Sequence, residues 1–375
     1  MSEGDSDAAE GLGDGNHTIP PGVGGRPEDD QHEEPRTGLH GIFLCSTAAV
    51  PDSGDMSMPE ILMTGRMLPI VLQQLDERFT LHRAWEAPDH DALLDDIADR
   101  IRGVAAGGGL AVDRRFLDRL PNLEIVANFG VGYDGIDAAH ARARGVIVTN
   151  TPDVLTEEVA DTAFGLLLMT VRDLSASERY LRAGTWRQGA YPLTRGTAAG
   201  RTMGILGLGR IGKAIARRAE ACGFKIAYHG RNRRPDVAYP YYPTLLELAE
   251  AVDTLMVVVP GGASTHHVVD EHVLKALGPD GIVINIGRGS VIDEEALVAA
   301  LRDGTILSAG LDVYEHEPDV PAELIAMEHV VLLPHVGSAS IHTRDAMGQL
   351  VVDNLTSWFA GNGPLTPVAE TPYPA

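Results

Sequence analysis

Thr202-Met203-Gly204-Ile205-Leu206-Gly207-Leu208-Gly209-Arg210-Ile211-Gly212 decides how the rest of the chain is read. Met203 to Leu206 is a short apolar run, the pattern of a buried strand. It enters Gly207-x-Gly209-x-x-Gly212. A segment follows whose apolar residues, Ile211, Ala214, Ile215, Ala219 and Cys222, recur at helical spacing. Strand, glycine turn and helix, in that order, are the context that a dinucleotide-binding fingerprint requires. Gly207 makes the tight turn, Gly209 lets a pyrophosphate approach the backbone, and Gly212 lets the helix pack closely on the strand. The phosphates then sit on free N–H groups at the positive end of the helix.

Composition sets wider limits. The chain has 375 residues, 44% hydrophobic and 22% charged, enough for a large core and two domains. A net charge of -23 argues against nucleic acid or an anionic membrane surface as partner. Cys45 and Cys222 are the only cysteines and lie far apart, which fits a reducing compartment and no disulfide framework. No basic-plus-apolar leader is visible. The longest apolar stretch, Val159 to Val171, carries Asp161 and is too short to span a bilayer. The expectation is a soluble, cytoplasmic protein.

Residues 1–57 differ from the rest. Twelve acidic residues against two arginines leave ten of the net negative charges here, with many Gly and Pro and little periodicity. Such a segment buries too little to fold and is expected to be a disordered acidic tail. Ile42-Phe43-Leu44 is its one apolar patch. Folded sequence begins near Met58, and the natural start is expected at Met56 or Met58.

From residue 59 onward, strands and helices alternate. Candidate strands are Ile61–Thr64, Thr80–Arg83, Gly103–Ala106, Ile125–Asn128 and Val146–Thr149. Helical patterns at Pro69–Arg78, Asp89–Arg100 and Asp113–Arg119 lie between them. This is a βαβ series and implies a parallel sheet covered on both faces. Asn128-Phe129-Gly130-Val131-Gly132-Tyr133-Asp134 is a glycine-rich turn at a strand end whose N–H groups can hold a small anion. A long helix, Thr156 to Asp173, is expected to be capped by Thr156, with Glu157 and Glu158 in its first turn. It is apolar around most of its circumference, so it should be buried between domains or subunits. A polar arm, 184–200, with Trp186 and Tyr191, leads into the fingerprint. A second βαβ series follows, with strands at Met203–Leu206, Lys225–His229, Thr254–Val259, Ile282–Ile286, Leu307–Leu311 and Val330–Leu333. A closing helix runs from Ile341 to Phe359.

The cofactor is read from the end of the second strand of this series. In the NAD form of the fold, an acidic residue there binds the ribose hydroxyls. Here the sequence is Tyr228-His229-Gly230-Arg231-Asn232-Arg233-Arg234, with Gly230 where the acid usually stands and three arginines after it. Arginines bind a 2′-phosphate that a carboxylate would repel. The reading is NADP(H) in preference to NAD(H), with NAD(H) use left open.

Three more stretches stand at strand ends on the same side as the fingerprint: Asn285-Ile286-Gly287-Arg288-Gly289, then Gly310 to Pro318, then Leu333-Pro334-His335-Val336-Gly337-Ser338. Ligands of open α/β sheets lie beyond these ends, so an Arg, a Glu and a His converge there. With Val131 to Asp134, Val148-Thr149-Asn150-Thr151-Pro152 and the fingerprint, the chain from about residue 59 to 365 resembles the D-isomer-specific 2-hydroxyacid dehydrogenases. Within them it is most similar to the glyoxylate/hydroxypyruvate reductase branch. The resemblance implies two Rossmann-like α/β domains with parallel sheets and an active site in the interdomain cleft. Residues 58–153 and 337–375 would form the substrate-binding domain, and 154–336 the dinucleotide-binding domain. A homodimer joined through the long helix and the arm is also implied.

The resemblance makes Arg288 the substrate-carboxylate anchor, Glu317 and His335 an acid/base pair, and Asp312 a neighbour of the nicotinamide carboxamide. Glu315 competes with Glu317 on spacing alone, but the family pattern puts the active glutamate directly before the proline. The expected cofactor contacts are Gly207, Leu208, Gly209, Arg210, Ile211 and Gly212, then Gly230, Arg231, Asn232 and Arg233. Val259, Pro260, Thr265, Ile286, Gly287, Asp312, His335 and Gly337 complete them.

The chemistry is independently reasonable. Reduction of a 2-oxo acid needs a hydride at the carbonyl carbon and a proton at its oxygen, and imidazole is suited to donate the proton. A carboxylate beside it favours the charged ring and holds its orientation. Arg288 can fork onto the substrate carboxylate, with the Val131 and Gly132 N–H groups on the other oxygen. His266, His267 and His272 lack further ligands at metal spacing, so no metal is expected. A nucleotide-sensing corepressor-like regulator on the same fold is the alternative. Formate dehydrogenase is disfavoured, because that branch pairs its histidine with glutamine.

Overall fold

The computed structural model describes residues 58–374. The acidic tail, with Ile42-Phe43-Leu44 and Cys45, lies outside the described residues. Two all-parallel sheets organise the rest. The first contains β1 (Glu60–Met63), β2 (Thr80–Arg83), β3 (Ile101–Ala106), β4 (Ile125–Asn128) and β5 (Ile147–Thr149), in the order β2-β1-β3-β4-β5. The second contains β6 (Thr202–Leu206), β7 (Lys225–His229), β8 (Thr254–Val257), β9 (Ile282–Asn285), β10 (Ser308–Leu311) and β11 (Val331–Leu332), in the order β11-β10-β9-β8-β6-β7. These are two Rossmann-like α/β domains.

Helices cover both faces. They are α1 (Pro69–Asp76), α2 (His90–Ile97), α3 (Arg114–Asp118), α4 (Ala138–Ala143), α5 (Thr156–Val171), α6 (Leu174–Arg182), α7 (Arg210–Ala221), α8 (Leu245–Ala251), α9 (Glu271–Leu277), α10 (Glu294–Arg302), α11 (Ala322–Ala326) and α12 (Ile341–Phe359). Covered sheets bury both strand faces, so the strands are near-continuously apolar. Ile282 and Ile284 pack with α5 and α7, while Val283 between them packs with α9 and α10. Leu62 and Val104 face the α2–α4 side of the first sheet; Ile61 and Met63 face α1 and α12. Each fully buried Leu, Ile or Val side chain contributes on the order of 2 kcal/mol from burial. The closing helix α12 therefore belongs to the core of the first sheet, packing on α1 and β4.

The long helix α5 departs from expectation at its start. Its N-cap is Leu155, which makes no side-chain cap bond, and Thr156 is already helical. Glu157 and Glu158 do occupy the first turn, where carboxylates meet the positive helix end. Glu157 also pairs with Arg217 and Arg218 of α7, and Asp161 with Arg218. Leu166 and Leu167 are buried against the second sheet. Gly310 in β10 permits this, since a Cβ there would stand 2.4 Å from Thr170 Oγ1. Between α5 and the expected arm the chain forms α6, and the arm opens on a 3-10 turn at Thr185–Arg187; neither has a buried residue.

Parallel sheets open a crevice where the chain reverses its winding direction. In the second sheet that point is between β6 and β8, and in the first between β1 and β3. Arg66 after β1, Gly107 and Gly108 after β3, and Ile211 of α7 after β6 line one cavity.

Candidate active site

The fingerprint takes the form its glycines dictate. Gly207 has φ +99, a left-handed backbone open to glycine, and an added Cβ would be 2.7 Å from Val259 Cγ1. A Cβ on Gly212 would be 2.3 Å from the Gly207 carbonyl oxygen, so α7 lies directly on the turn. Gly209 has no atom within 4 Å of its Cβ position, and as N-cap of α7 it supplies no capping side chain. The first-turn N–H groups of α7 are thus left for a ligand. Leu208 is buried beneath them and Arg210 pairs with Asp153 at 2.8 Å.

After β7, Gly230, Arg231, Asn232 and Arg233 form an open loop in which both arginines are exposed and, among the described residues, unpaired. The nearby carboxylate of Asp236 is held by Lys213, and that hydrogen bond keeps its pKa below the ordinary value. Val259, Pro260 and Thr265 follow β8, with the Thr265 hydroxyl donating to the Pro260 carbonyl at 2.7 Å.

A cavity of about 480 Å³ collects the chemistry. Val131, Gly132, Ile211, Ile286, Arg288, Asp312, His335 and Gly337 all line it. Arg288 comes from the loop after β9. Its Nε donates to Asp134 Oδ1 at 3.0 Å and its Nη1 to the Gly287 carbonyl at 2.8 Å. Nη2 lies against Gly132, where any Cβ would be 1.7 Å away. Asp134 fixes Arg288 across 154 positions of sequence, which no local pattern reveals. The turn around Gly132 is clamped by Asn128 Nδ2, which donates to the Gly130 and Gly132 carbonyls at 3.0 Å. Asn150 Nδ2 adds a bond to the Val131 carbonyl at 2.8 Å. Among the described residues, the Val131 and Gly132 N–H groups keep no protein acceptor.

His335 comes from the loop after β11. Its Nδ1 is 2.7 Å from Glu317 Oε2, while Nε2 has no partner among the described residues. Glu315, the competitor on spacing, turns instead to His267 Nε2 at 2.7 Å, with His266 at 3.9 Å. His266, His267 and Glu315 form the one cluster of metal-ligand types among the described residues, and His272 is not in it. Asp312, 1% exposed, braces the histidine loop: Oδ1 accepts from Val336 N at 2.8 Å and Oδ2 from Gly337 N at 2.9 Å. Its carbonyl accepts from His335 N at 2.8 Å. His335 itself has φ +53, a strained backbone for a non-glycine residue, and this network holds it there. Burial raises the Asp312 pKa, and the two backbone bonds act in the opposite sense. Arg66 and Arg344 also line the cavity.

Fold and site together define a dinucleotide-dependent dehydrogenase of the doubly wound α/β kind. The chain belongs to the D-isomer-specific 2-hydroxyacid dehydrogenase family. The family model for the D-isomer specific 2-hydroxyacid dehydrogenase NAD binding domain matches residues 164–337. Glyoxylate/hydroxypyruvate reductase A of Arabidopsis thaliana is 48% identical over 308 residues, 82% of this chain and 98% of that protein. Hydroxyphenylpyruvate reductase of Plectranthus scutellarioides is 46% identical over the same share of both. Among solved structures, the NADPH-dependent glyoxylate/hydroxypyruvate reductase of Sinorhizobium meliloti, in complex with NADP and malonate, is 56% identical with a TM-score of 0.81. That match covers 84% of this chain and 98% of that one. The protein is thus an oxidoreductase acting on 2-oxo and 2-hydroxy acids.

Proposed function

We propose that the chain reduces small 2-oxo acids, glyoxylate and hydroxypyruvate among them, to D-2-hydroxy acids with NADPH. The observation that carries this is that His335, paired with Glu317, lines the same cavity as Arg288 beyond the carboxyl ends of the strands. The fingerprint fits the dinucleotide, because Gly209 is open to solvent and Gly207 and Gly212 leave the turn tight. When bound, the nicotinamide supplies the hydride for the carbonyl carbon.

The chain's own residues do the rest. Arg288, steadied by Asp134, turns its remaining N–H donors to the substrate carboxylate. The free N–H groups of Val131 and Gly132 take the second carboxylate oxygen, forming an anion nest. Glu317 holds Nδ1–H of His335, so Nε2 presents its proton to the carbonyl oxygen as that oxygen gains charge. Consuming one hydride and one proton balances the reduction.

Four features support NADPH over NADH: Gly230 in place of a carboxylate, the exposed Arg231 and Arg233, Asp236 withdrawn onto Lys213, and the NADP-bound relative. Exposed Leu174, Leu181, Trp186 and Leu193 around α6 and the arm support a homodimer through this face. Two cysteines and the acidic charge support work in the cytoplasm. NADPH oxidation at 340 nm with glyoxylate, hydroxypyruvate, phenylpyruvate and hydroxyphenylpyruvate tests the activity. Absence of turnover on all four would favour a nucleotide-sensing regulator. A higher kcat/KM with NADH than with NADPH would overturn the cofactor reading, and a monomeric mass in light scattering the dimer.

A further inference from the structure

The proposed chemistry leaves two arginines in the cavity unused. Arg66 stands in the loop after β1, and Arg344 in the first turn of α12. Arg288 is engaged by Asp134 and a backbone carbonyl. Arg344 is not. It is half-buried, its guanidinium lies over the Phe129 ring at 5.6 Å, and among the described residues it has no ion pair and no side-chain hydrogen bond. A guanidinium carries five N–H donors and stays charged in proteins. Leaving them unmet in a partly buried site costs free energy unless a ligand meets them. Burial lowers the Arg344 pKa, with the carboxylate of Asp312 opposing that shift. No ion pair or hydrogen bond joins Arg344 to Asp312, whose oxygens accept from the Val336 and Gly337 N–H groups. Arg66, exposed on the same cavity, is likewise unpaired among the described residues.

One carboxylate therefore does not use the cations present. We propose that Arg344, assisted by Arg66, forms a second anion subsite, and that the preferred substrates are 2-oxo acids bearing a further carboxylate or phosphoryl group. This rests on the 2-oxo-acid reductase reading above. Phe129 supplies a flat surface that fixes the guanidinium plane, so the subsite is built before the substrate arrives.

Two matched pairs test it, each by kcat/KM with NADPH: 2-oxoglutarate against 2-oxopentanoate, and 3-phosphooxypyruvate against hydroxypyruvate. The anionic member is expected to lead by about tenfold or more in at least one pair, the range of a charge-assisted hydrogen bond. The pair that shows the lead identifies carboxylate or phosphoryl as the group bound. Arg344→Gln should bring that ratio close to unity, Arg344→Lys should keep part of it, and Arg66→Gln should lower it less. Succinate titrated into the NADPH-loaded protein gives a readout independent of turnover, and Arg344→Gln should weaken its binding about tenfold. No anionic preference in either pair, or a ratio unchanged in a folded Arg344→Gln protein, overturns the inference while hydroxypyruvate turnover leaves the reductase reading intact. No turnover on any of the four acids overturns the reductase reading itself. If Arg344→Gln does not fold, the wild-type ratios and Arg344→Lys still decide the question.

Discussion

Gly132 and His335 show the site residue by residue. Gly132 is glycine because Arg288 Nη2 occupies the place of a side chain there. Gly132→Ala should push the guanidinium off its position while leaving the fingerprint untouched. We expect kcat/KM for 2-oxo acids to fall about a hundredfold, the penalty typical of a small misplacement of a positioning group, while the NADPH dissociation constant stays within about twofold. A parallel loss of NADPH affinity would mean that Arg288 serves the cofactor and not the acid. His335→Ala removes the proton donor at Nε2 and should lower kcat by about a hundredfold or more. Glu317→Gln keeps a hydrogen-bond partner for Nδ1 but not its charge, so its deficit should be smaller than that of His335→Ala. Near-normal kcat in His335→Ala would end the assignment.

Secondary-structure elements separate binding from folding in the fingerprint. Gly209 and Gly212 both face the dinucleotide end of α7, yet their surroundings differ. A methyl at Gly212 meets the Gly207 carbonyl, so Gly212→Ala overpacks the β6–α7 contact and should cost about 1–3 kcal/mol of stability. A methyl at Gly209 meets nothing, so Gly209→Ala should leave the thermal midpoint near that of wild type. Both should weaken NADPH binding, read by fluorescence titration. Equal midpoints for the two variants would show that close helix packing is not what Gly212 provides.

These elements were also the legible part of the sequence. β-branched runs and glycine turns are local signals, so β6, β7 and α12 stand where periodicity puts them. Thr156 misled as a cap because its residue type is right and only the backbone shows Leu155 in that position. Helix α6 has no counterpart in the sequence expectations: its apolar residues are few, and Leu174 and Leu181, two turns apart, stay exposed. Asp134 on Arg288, Glu315 on His267, and Arg344 on Phe129 are contacts between distant segments, and only the assembled sheets bring them together.

The whole molecule carries a third kind of consequence, in its response to alkali. Tyr133, Tyr239 and Tyr314 have pKa values pushed up to about 12, in each case chiefly by burial. They are spread over both halves of the fold. Tyr133 bonds Glu370 near the chain end, and Tyr239 bonds Glu220 on α7. Tyr314, the most buried, donates to the Leu333 carbonyl at 3.0 Å beside the Asp312 and Glu317 carboxylates. An unfolded tyrosine titrates near 10. Between pH about 10 and about 12 the unfolded chain has therefore released protons that the folded chain still holds, and stability falls as pH rises. The contribution is complete below about 10 and lost on passing about 12. For Tyr314 it is on the order of 2 kcal/mol by the usual conversion of pKa to free energy. Tyr314→Phe removes that dependence but strips a donor from the Leu333 carbonyl, costing about 1 kcal/mol at neutral pH. Urea midpoints measured from pH 8 to 11.5 should therefore start lower in Tyr314→Phe, meet those of wild type as pH rises, and end above them. Parallel lines would show that Tyr314 ionises as freely in the folded chain as in the unfolded one. The residue then would not couple the β10–β11 edge, and with it the histidine loop, to the titration of the whole fold.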